Sequence, residues 1–378
     1  MISVINDRFN TIETPAYVID EAALLRNLQI LKEVKEQAGC KILLAQKAFS
    51  AFALYPMMAE YLDGTTASGL YEAKLGRECF PGEVHTFCPA YKETEMEELL
   101  RISDHLVFNS IAQFKKYKDV CAGKSIGLRI NPECSTQETA IYDPCAAGSR
   151  LGVTLQNFDP EVLNYIDGLH FHTLCEQGSD ALEKTLAAVE EKFGEYLKKV
   201  KWVNFGGGHH ITKADYDREL LIRLVKEFKA KYDVEVYLEP GEAIAIDAGY
   251  LVTEVMDIVH NGIDIAILDA SAACHMPDVL EMPYRPPLYL SGQQGEKQYD
   301  YRLASRTCLA GDVIGDYSFD TQLQIGDRLC FEDMAIYSMV KNNTFNGMPL
   351  PDIAVLHKDG NYEVIRRFGY EDFKERLS

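Results

Sequence analysis

Eight short apolar, β-branched runs, each ending in polar or glycine residues and separated by stretches of helical periodicity, constrain this chain more than any other feature. They are KILLAQK (41–47), GTTASG (64–69), VHTFCP (84–89), HLVFNS (105–110), SIGLRINP (125–132), GLHFHT (168–173), WVNFGGG (202–208) and VEVYLEP (234–240). Continuous apolar runs of this length read as strands buried on both faces, and strands that alternate with helices form parallel sheets. Eight such units predict an α/β fold in which the sheet closes into a parallel β/α barrel of TIM type. The clearest connecting helix is DEAALLRNLQILKEVKEQAG, where Leu24, Leu28 and Leu31 share a face, Asp20 caps the start and Gly39 stops the end. After about residue 247 the pattern changes to alternating strands such as YLVTEVMDIV, IDIAILDA, DRLCFEDMAIYSMV, DIAVLH and YEVIRRF. The expected division is a barrel over 17–246 and a mostly antiparallel β domain built from 1–16 and 247–378. The opening segment is too short to fold alone and adds a strand to that domain.

Composition narrows the partners. The chain has 378 residues with 38 Lys plus Arg against 58 Asp plus Glu, a formal net charge of −20. A nucleic acid is excluded as a partner because phosphate binding needs a basic surface. A cationic ligand suits the acidic surface better. The ten cysteines never fall as CxxC and are scattered, which argues against structural zinc. The start, MISVINDRFN, lacks a cationic stretch followed by an apolar core, and no apolar run reaches the roughly twenty residues of a membrane span. A cytoplasmic protein with reduced thiols and no membrane partner is expected.

A β/α barrel places its chemistry at the C-terminal ends of its strands, which here carry Lys47, Ser68, Asn131, His172, the glycines 206–208 and Glu239. Lys47 ends an apolar strand, where an ammonium is costly unless it is paired, deprotonated or covalently bound. A lysine forming a Schiff base meets these demands, although a lysine reaching from a strand end to solvent would look the same. Three glycines after a strand let a backbone approach a phosphate, or simply make a tight loop. Glu239, in LEPGEA, is placed to pair with a protonated pyridine nitrogen, or to sit in solvent on a loop. His172 could stack on an aromatic cofactor or serve as a hydrogen-bonded structural histidine. His209 and His210 look like a metal pair but have no strand-end carboxylate at ligand spacing in the sequence, so no metal is expected.

With these residues in place the sequence resembles the fold type III pyridoxal phosphate decarboxylases, which include ornithine and diaminopimelate decarboxylases. TPAYVID, QKAFS around Lys47, ASGLYE (67–72), GLHFH, NFGGG, EPGE, CLAGD (308–312) and YSMVKNNTFNG at Tyr337 occur in the family's order over nearly the whole chain. The resemblance implies an alanine-racemase-type barrel with pyridoxal 5'-phosphate as cofactor. It implies that Lys47 forms the Schiff base, His172 stacks on the ring and Glu239 pairs with the pyridine nitrogen. Gly207, Gly208 and Tyr337 are the implied phosphate contacts. Cys308 and Asp312 are the residues that a partner subunit inserts, so the resemblance implies a homodimer with shared active sites, and Cys308 or Lys47 supplies the proton after carbon dioxide leaves.

The departures from the commoner members are also informative. TLCEQ follows His172 where a glycine–serine pair is usual, Glu242 follows EPG where arginine is usual, and Leu309 follows Cys308 where diaminopimelate decarboxylases carry a glutamate. These departures resemble the branch acting on carboxynorspermidine and carboxyspermidine, whose substrates carry a reacting amino-acid end and a tail with two further ammonium groups. Such a tail needs carboxylates rather than arginine. Glu242, Asp278 and Glu176 are the expected tail contacts, with Asp312 also at the substrate. The alternatives are a decarboxylase of a basic amino acid such as ornithine, arginine or diaminopimelate, a non-catalytic carrier of the cofactor, and a cofactor-free aldolase using Lys47.

Overall fold

The computed structural model describes residues 9, 11–137 and 140–378. Two compact units emerge, one of Arg26–Ile244 and one that joins the chain up to Leu25 with Ala245–Ser378. After β1 (Ala16–Asp20), the first unit is built on β2 (Lys41–Ala45), β3 (Gly64–Ala67), β4 (Glu83–Phe87), β5 (His105–Phe108), β6 (Ser125–Arg129), β7 (Gly168–His170), β8 (Trp202–Asn204) and β9 (Glu235–Leu238). All eight pair in parallel and β9 closes on β2. The barrel matches the eight apolar runs, but its strands stop two to four residues before those runs do. The residues beyond the strand ends are therefore on turns, where side chains are free to face the barrel mouth.

The opposite end is plugged. Trp202, the first residue of β8, packs with Leu43, Val107 and Tyr237. A Cβ on Gly127 or Gly168 would collide with its indole ring, so glycine at both positions makes the room it fills. The indole N–H donates to Ser125 Oγ at 3.0 Å. Helices cover the barrel. The first runs Glu21–Ala38; Asp20 Oδ1 accepts the Ala23 N–H at 2.9 Å, and Gly39 leaves it at a φ of 68°. Leu24, Leu28 and Leu31 are fully buried on the expected face.

The second unit holds a sheet ordered β13-β12-β11-β10-β1-β15-β16, with β14 also on β10. Its strands are β10 (Gly249–His260), β11 (Asp264–Leu268), β12 (Tyr299–Ser305), β13 (Val313–Phe319), β14 (Arg328–Glu332), β15 (Asp352–Leu356) and β16 (Tyr362–Arg366). The β1–β15 and β11–β12 pairs are parallel and the other five antiparallel. The boundary drawn at residue 17 needs correction, because all of β1 pairs within this sheet rather than with the barrel. Most of the expected 1–16 segment, residues 1–8 and 10, lies outside the described residues. The long strand read from DRLCFEDMAIYSMV is also corrected. It ends at Glu332, Tyr337 takes a φ of 55°, and a helical turn follows over Ser338–Lys341.

Candidate active site

Lys47 lies two residues beyond β2, in a turn closed by the Ala48 N–H donating to Ala45 O at 3.1 Å. Its neighbour Gln46 is buried and anchored, donating to Glu72 O at 2.8 Å and accepting from Tyr55 OH at 3.1 Å. Lys47 itself keeps access to solvent, yet protein surrounds it on most sides. That crowding, followed by the Arg129 guanidinium, pushes its pKa below the ordinary lysine value, with Glu239, Cys175 and Glu72 opposing. Such an amine gives up its proton more readily than a surface lysine, which is what a nucleophilic Nζ requires.

Across the mouth, His172 Nδ1 accepts the Gly207 N–H at 2.9 Å. An accepting Nδ1 carries a lone pair, so the neutral ring bears its proton on Nε2. Burial, then the charges of Lys47 and Arg129, drives the imidazole pKa well below its usual value and keeps the ring neutral. The glycines are required by close approach. A Cβ on Gly206 would meet Phe171 O at 2.5 Å, one on Gly207 would strike Glu239 O, and one on Gly208 would strike Leu174 O. Gly206 and Gly208 also have positive φ. Gly207 departs from expectation, since the N–H read as a phosphate donor is turned onto His172.

Glu239 is no solvated loop carboxylate. It is 7% exposed, its Oε1 accepts from Asn204 Nδ2 at 2.7 Å, and its own N–H donates to Gly206 O at 2.8 Å. Asn204 Oδ1 in turn accepts the Gly206 N–H at 2.8 Å, so one side chain ties the glycine loop to the carboxylate. Glu239 Oε2 stands 3.7 Å from His170 Nε2. That imidazole is buried and held neutral by burial and by the nearby Arg129, His85 and Lys47.

Arg129 is the residue that sequence reasoning missed. It ends β6, is 5% exposed, lies 4.6 Å over the Phe87 ring and donates from Nη2 to His172 O at 3.0 Å. Burial lowers its pKa to about 10, still far above neutrality. A charged residue closing the apolar run SIGLR is the signal that marks it. Asn131, named instead, accepts the Glu133 N–H at 2.8 Å and completes its own turn, and Ser68 gives its N–H to Glu72 Oε2 at 2.6 Å.

These residues fit pyridoxal phosphate. An amine with lowered basicity, a buried carboxylate with one oxygen uncommitted to Asn204, a neutral imidazole and a loop where no Cβ fits are the groups a phosphorylated pyridine aldehyde needs. His170, His172 and Glu239 bring possible ligand atoms within 4.8 Å of one another. A cation is nevertheless disfavoured there by the positive Lys47 and Arg129, and His172 Nδ1 is already engaged.

A second cluster adjoins this one. Glu176, His210 and Glu242 place possible ligand atoms within 4.8 Å of one another, and His210 Nε2 is 3.4 Å from Glu242 Oε2. The expectation that His210 lacks a carboxylate at ligand spacing is thereby corrected, because closing the barrel brings position 242 beside position 210. His209 is buried, which pushes its pKa down to about 4. Burial, then Glu176 and Glu242, pushes the Cys175 thiol up to about 11, with Lys47 opposing, so both clusters act on this one residue.

The remaining expected residues belong to the sheet unit. Cys308 is exposed on the β12–β13 loop and its N–H donates to Asn346 Oδ1 at 2.6 Å. Asp312, expected at the substrate, is committed within the protein. It is 3% exposed and accepts from Ser271 Oγ at 2.6 Å, Thr307 Oγ1 at 2.6 Å and the Ala273 N–H at 3.1 Å, so it braces the loop that carries Cys308. Asp278 is engaged by Lys341, which also reaches Glu281 at 2.6 Å. Tyr337 is half-buried, and its carbonyl accepts the Lys341 N–H at 2.9 Å.

Comparison with known proteins shows the family. The family model described as pyridoxal-dependent decarboxylase, C-terminal sheet domain, matches residues 16–335. A carboxynorspermidine/carboxyspermidine decarboxylase of Campylobacter jejuni is 46% identical over 379 residues, covering 97% of this chain and 99% of that protein. A carboxyaminopropylagmatine decarboxylase of Synechocystis is 41% identical, covering 98% of this chain and 97% of that one. The crystal structure of a Campylobacter jejuni carboxynorspermidine decarboxylase complexed with norspermidine superposes with a TM-score of 0.90 at 45% identity, covering 97% of this chain and all of that one.

Proposed function

This chain belongs to the pyridoxal-dependent decarboxylase family, and from that premise we propose that it decarboxylates carboxynorspermidine and carboxyspermidine to norspermidine and spermidine in polyamine biosynthesis. The observation that carries the reading is the acidic cluster of Glu176 and Glu242 beside the Lys47 site, Glu242 following Gly241, which packs against Ala48 next to Lys47. Carboxylates in that place suit a substrate with ammonium groups beyond its reacting end and give a short amino acid little to hold.

The enzyme is a pyridoxal phosphate-dependent carboxy-lyase. Bound in the barrel mouth, the cofactor supplies an electron sink for the pair left when the carboxylate departs as carbon dioxide. Lys47 holds it through Nζ. Glu239, with Oε1 fixed by Asn204, keeps a proton on the ring nitrogen, and His172 offers a neutral aromatic surface. Gly208 and Tyr337 take the phosphate, while Gly207 fixes His172. Lys47 or Cys308 returns a proton to the α-carbon. Glu242 leads in binding the tail with Glu176 beside it, and Asp278 contributes by exchanging Lys341 for a substrate ammonium. Asp312 serves the site by holding the Cys308 loop.

Among the described residues no helix is long and apolar enough to cross a membrane, and we place the enzyme in the cytoplasm as a homodimer, each site taking Lys47 from one subunit and Cys308 from the other. Products formed from carboxynorspermidine, carboxyspermidine, carboxyaminopropylagmatine, ornithine, arginine and diaminopimelate, identified by mass spectrometry, test the substrate. Turnover confined to the basic amino acids would overturn it. For the dimer, Lys47→Ala and Cys308→Ala should each be inactive and should regain about a quarter of wild-type activity when mixed in equal amounts, since about half the reassorted dimers carry one intact site of two. If subunits exchange by mass and no activity returns, Cys308 does not act across an interface.

A further inference from the structure

His210 is 4% exposed and its Nε2 has no hydrogen-bond partner. An unsatisfied nitrogen at that depth is uncommon and marks a group waiting for a ligand or a water. It lies 3.4 Å from Glu242 Oε2 without the alignment of a hydrogen bond, and Glu176 completes a trio whose ligand atoms lie within 4.8 Å of one another. Local backbone holds the arrangement. The Gln177 N–H donates to Gly208 O at 2.9 Å and the His210 N–H returns to Gln177 O at 3.2 Å, so the segment after His172 and the segment after the glycines form one ledge.

We infer that Glu176, His210 and Glu242 form a three-acceptor seat for a primary alkylammonium group, with His210 as the residue that sets specificity for the substrate tail. The inference rests on the substrate reading above and assigns His210 a role that reading leaves open. A primary ammonium has three N–H donors, and acceptors about 2.9 Å from a tetrahedral nitrogen stand about 4.7 Å apart; the trio's ligand atoms lie within 4.8 Å of one another, with His210 Nε2 and Glu242 Oε2 closer at 3.4 Å, so that pair spreads to admit the group. Two carboxylates supply the charge, and His210 adds a ring nitrogen with a directed lone pair, where a third carboxylate would bring further repulsion. A divalent metal also suits the donor set chemically, and zinc binding is therefore one arm of the test. The seat is on the barrel unit beside Lys47, so it reads the tail of a substrate whose other end is under reaction.

The test uses the holoenzyme and the variants His210→Leu and His210→Gln. Losing a hydrogen bond to a charged group should raise KM for carboxynorspermidine by about 10- to 100-fold with kcat changed less than about threefold, and Gln, which keeps an acceptor, should recover part of the loss. KM for a short basic amino acid should stay within about twofold, as should the affinity for pyridoxal phosphate read from its absorbance on dilution. Weakened cofactor binding would assign His210 to the cofactor instead. Equal losses for long and short substrates, or none, would leave it a structural residue. Stoichiometric zinc binding to wild-type holoenzyme that survives saturating norspermidine and disappears in His210→Leu would make the seat a metal site. Wild-type turnover of the panel decides the substrate reading, and the ratio of variant to wild type decides this one. An enzyme that accepts only short amino acids would leave the seat without a tail and end both.

Discussion

The barrel mouth and the sheet unit treat their charged side chains in opposite ways. In the sheet unit, the acidic groups named above are matched by donors. Asp312 takes three donors, Lys341 bridges Asp278 and Glu281, and Arg302 meets Asp316 through two parallel bonds of 2.8 and 2.9 Å. At the barrel mouth the groups are crowded but incompletely matched. Lys47 is pushed away from its charged form, Glu239 sits beyond hydrogen-bond reach of His170, and the ring nitrogens of His170 and Nε2 of His210 lack partners. Mismatch of this kind is costly to a fold and is found where a ligand is to complete the set. One unit therefore spends its polar groups on its own shape, and the other holds them in reserve for chemistry.

If that contrast is right, substitutions at the mouth should remove function while leaving the fold, and substitutions at the satisfied positions should do the reverse. The largest effect is expected from Lys47→Ala, which should abolish both the bound-cofactor absorbance and decarboxylation while shifting the melting temperature by no more than a few degrees, because the side chain keeps solvent access. Covalently bound cofactor surviving in that variant would sink the site. Glu239→Gln keeps the size and the Asn204 contact but loses the negative charge. Its kcat should fall by about 100-fold or more with little change in stability. A variant still active within tenfold would show that the carboxylate does not hold the ring proton.

Asp312→Ala should break the sheet unit first. Three donors would lose their acceptor, for a cost of about 2 to 5 kcal/mol in urea unfolding, and any loss of activity should follow the displaced Cys308 loop. Unchanged stability with lost activity would return Asp312 to the substrate. The smallest effect concerns acid. His209 is held neutral with a pKa near 4, so between pH 6.5 and 4 the unfolded chain binds a proton that the folded chain refuses. Stability therefore rises with pH across that window and falls as pH drops through it. Burial acts in the same direction on His105, near 3, and on His275, near 4. His209→Gln should remove about 2 to 3 kcal/mol of the loss between pH 7 and 4.5. An unaltered acid slope would mean that this histidine takes up its proton in the folded state.

How far the sequence could be read follows the same division. The eight barrel strands were legible because each is buried on both faces and so is apolar almost throughout. Their ends were not, since residues such as Gln46 and Phe205 remain buried after strand pairing stops. Lys47 and Glu239 stood out as charges closing apolar runs. Arg129 closes one too, but what stabilises it, the Phe87 face and the His172 carbonyl, comes from β4 and the loop after β7 and leaves no local pattern. The His210–Glu242 approach joins residues 32 apart across the last strand of the barrel and is equally invisible to spacing. In the sheet unit, Asp312 was read through its motif as reaching outward, whereas its donors Ser271 and Ala273 lie about forty residues earlier in the chain. The turn after β14 hid inside an apolar run because Met334, Ala335 and Ile336 are buried without being a strand.

The tryptophan plug has a consequence for how this sequence can change. Gly127 and Gly168 accept no Cβ while the Trp202 indole is present, and loss of the indole alone would leave an apolar void. Substitutions at 127, 168 and 202 are therefore not independent draws. Alanine at 168 is harmful in this background and becomes tolerable once position 202 has shrunk, while shrinking 202 first is itself harmful. Each order of events passes through a worse intermediate, so the trio is expected to persist as a unit in descendants of this chain even as the loops at the other end of the barrel diverge toward new substrates.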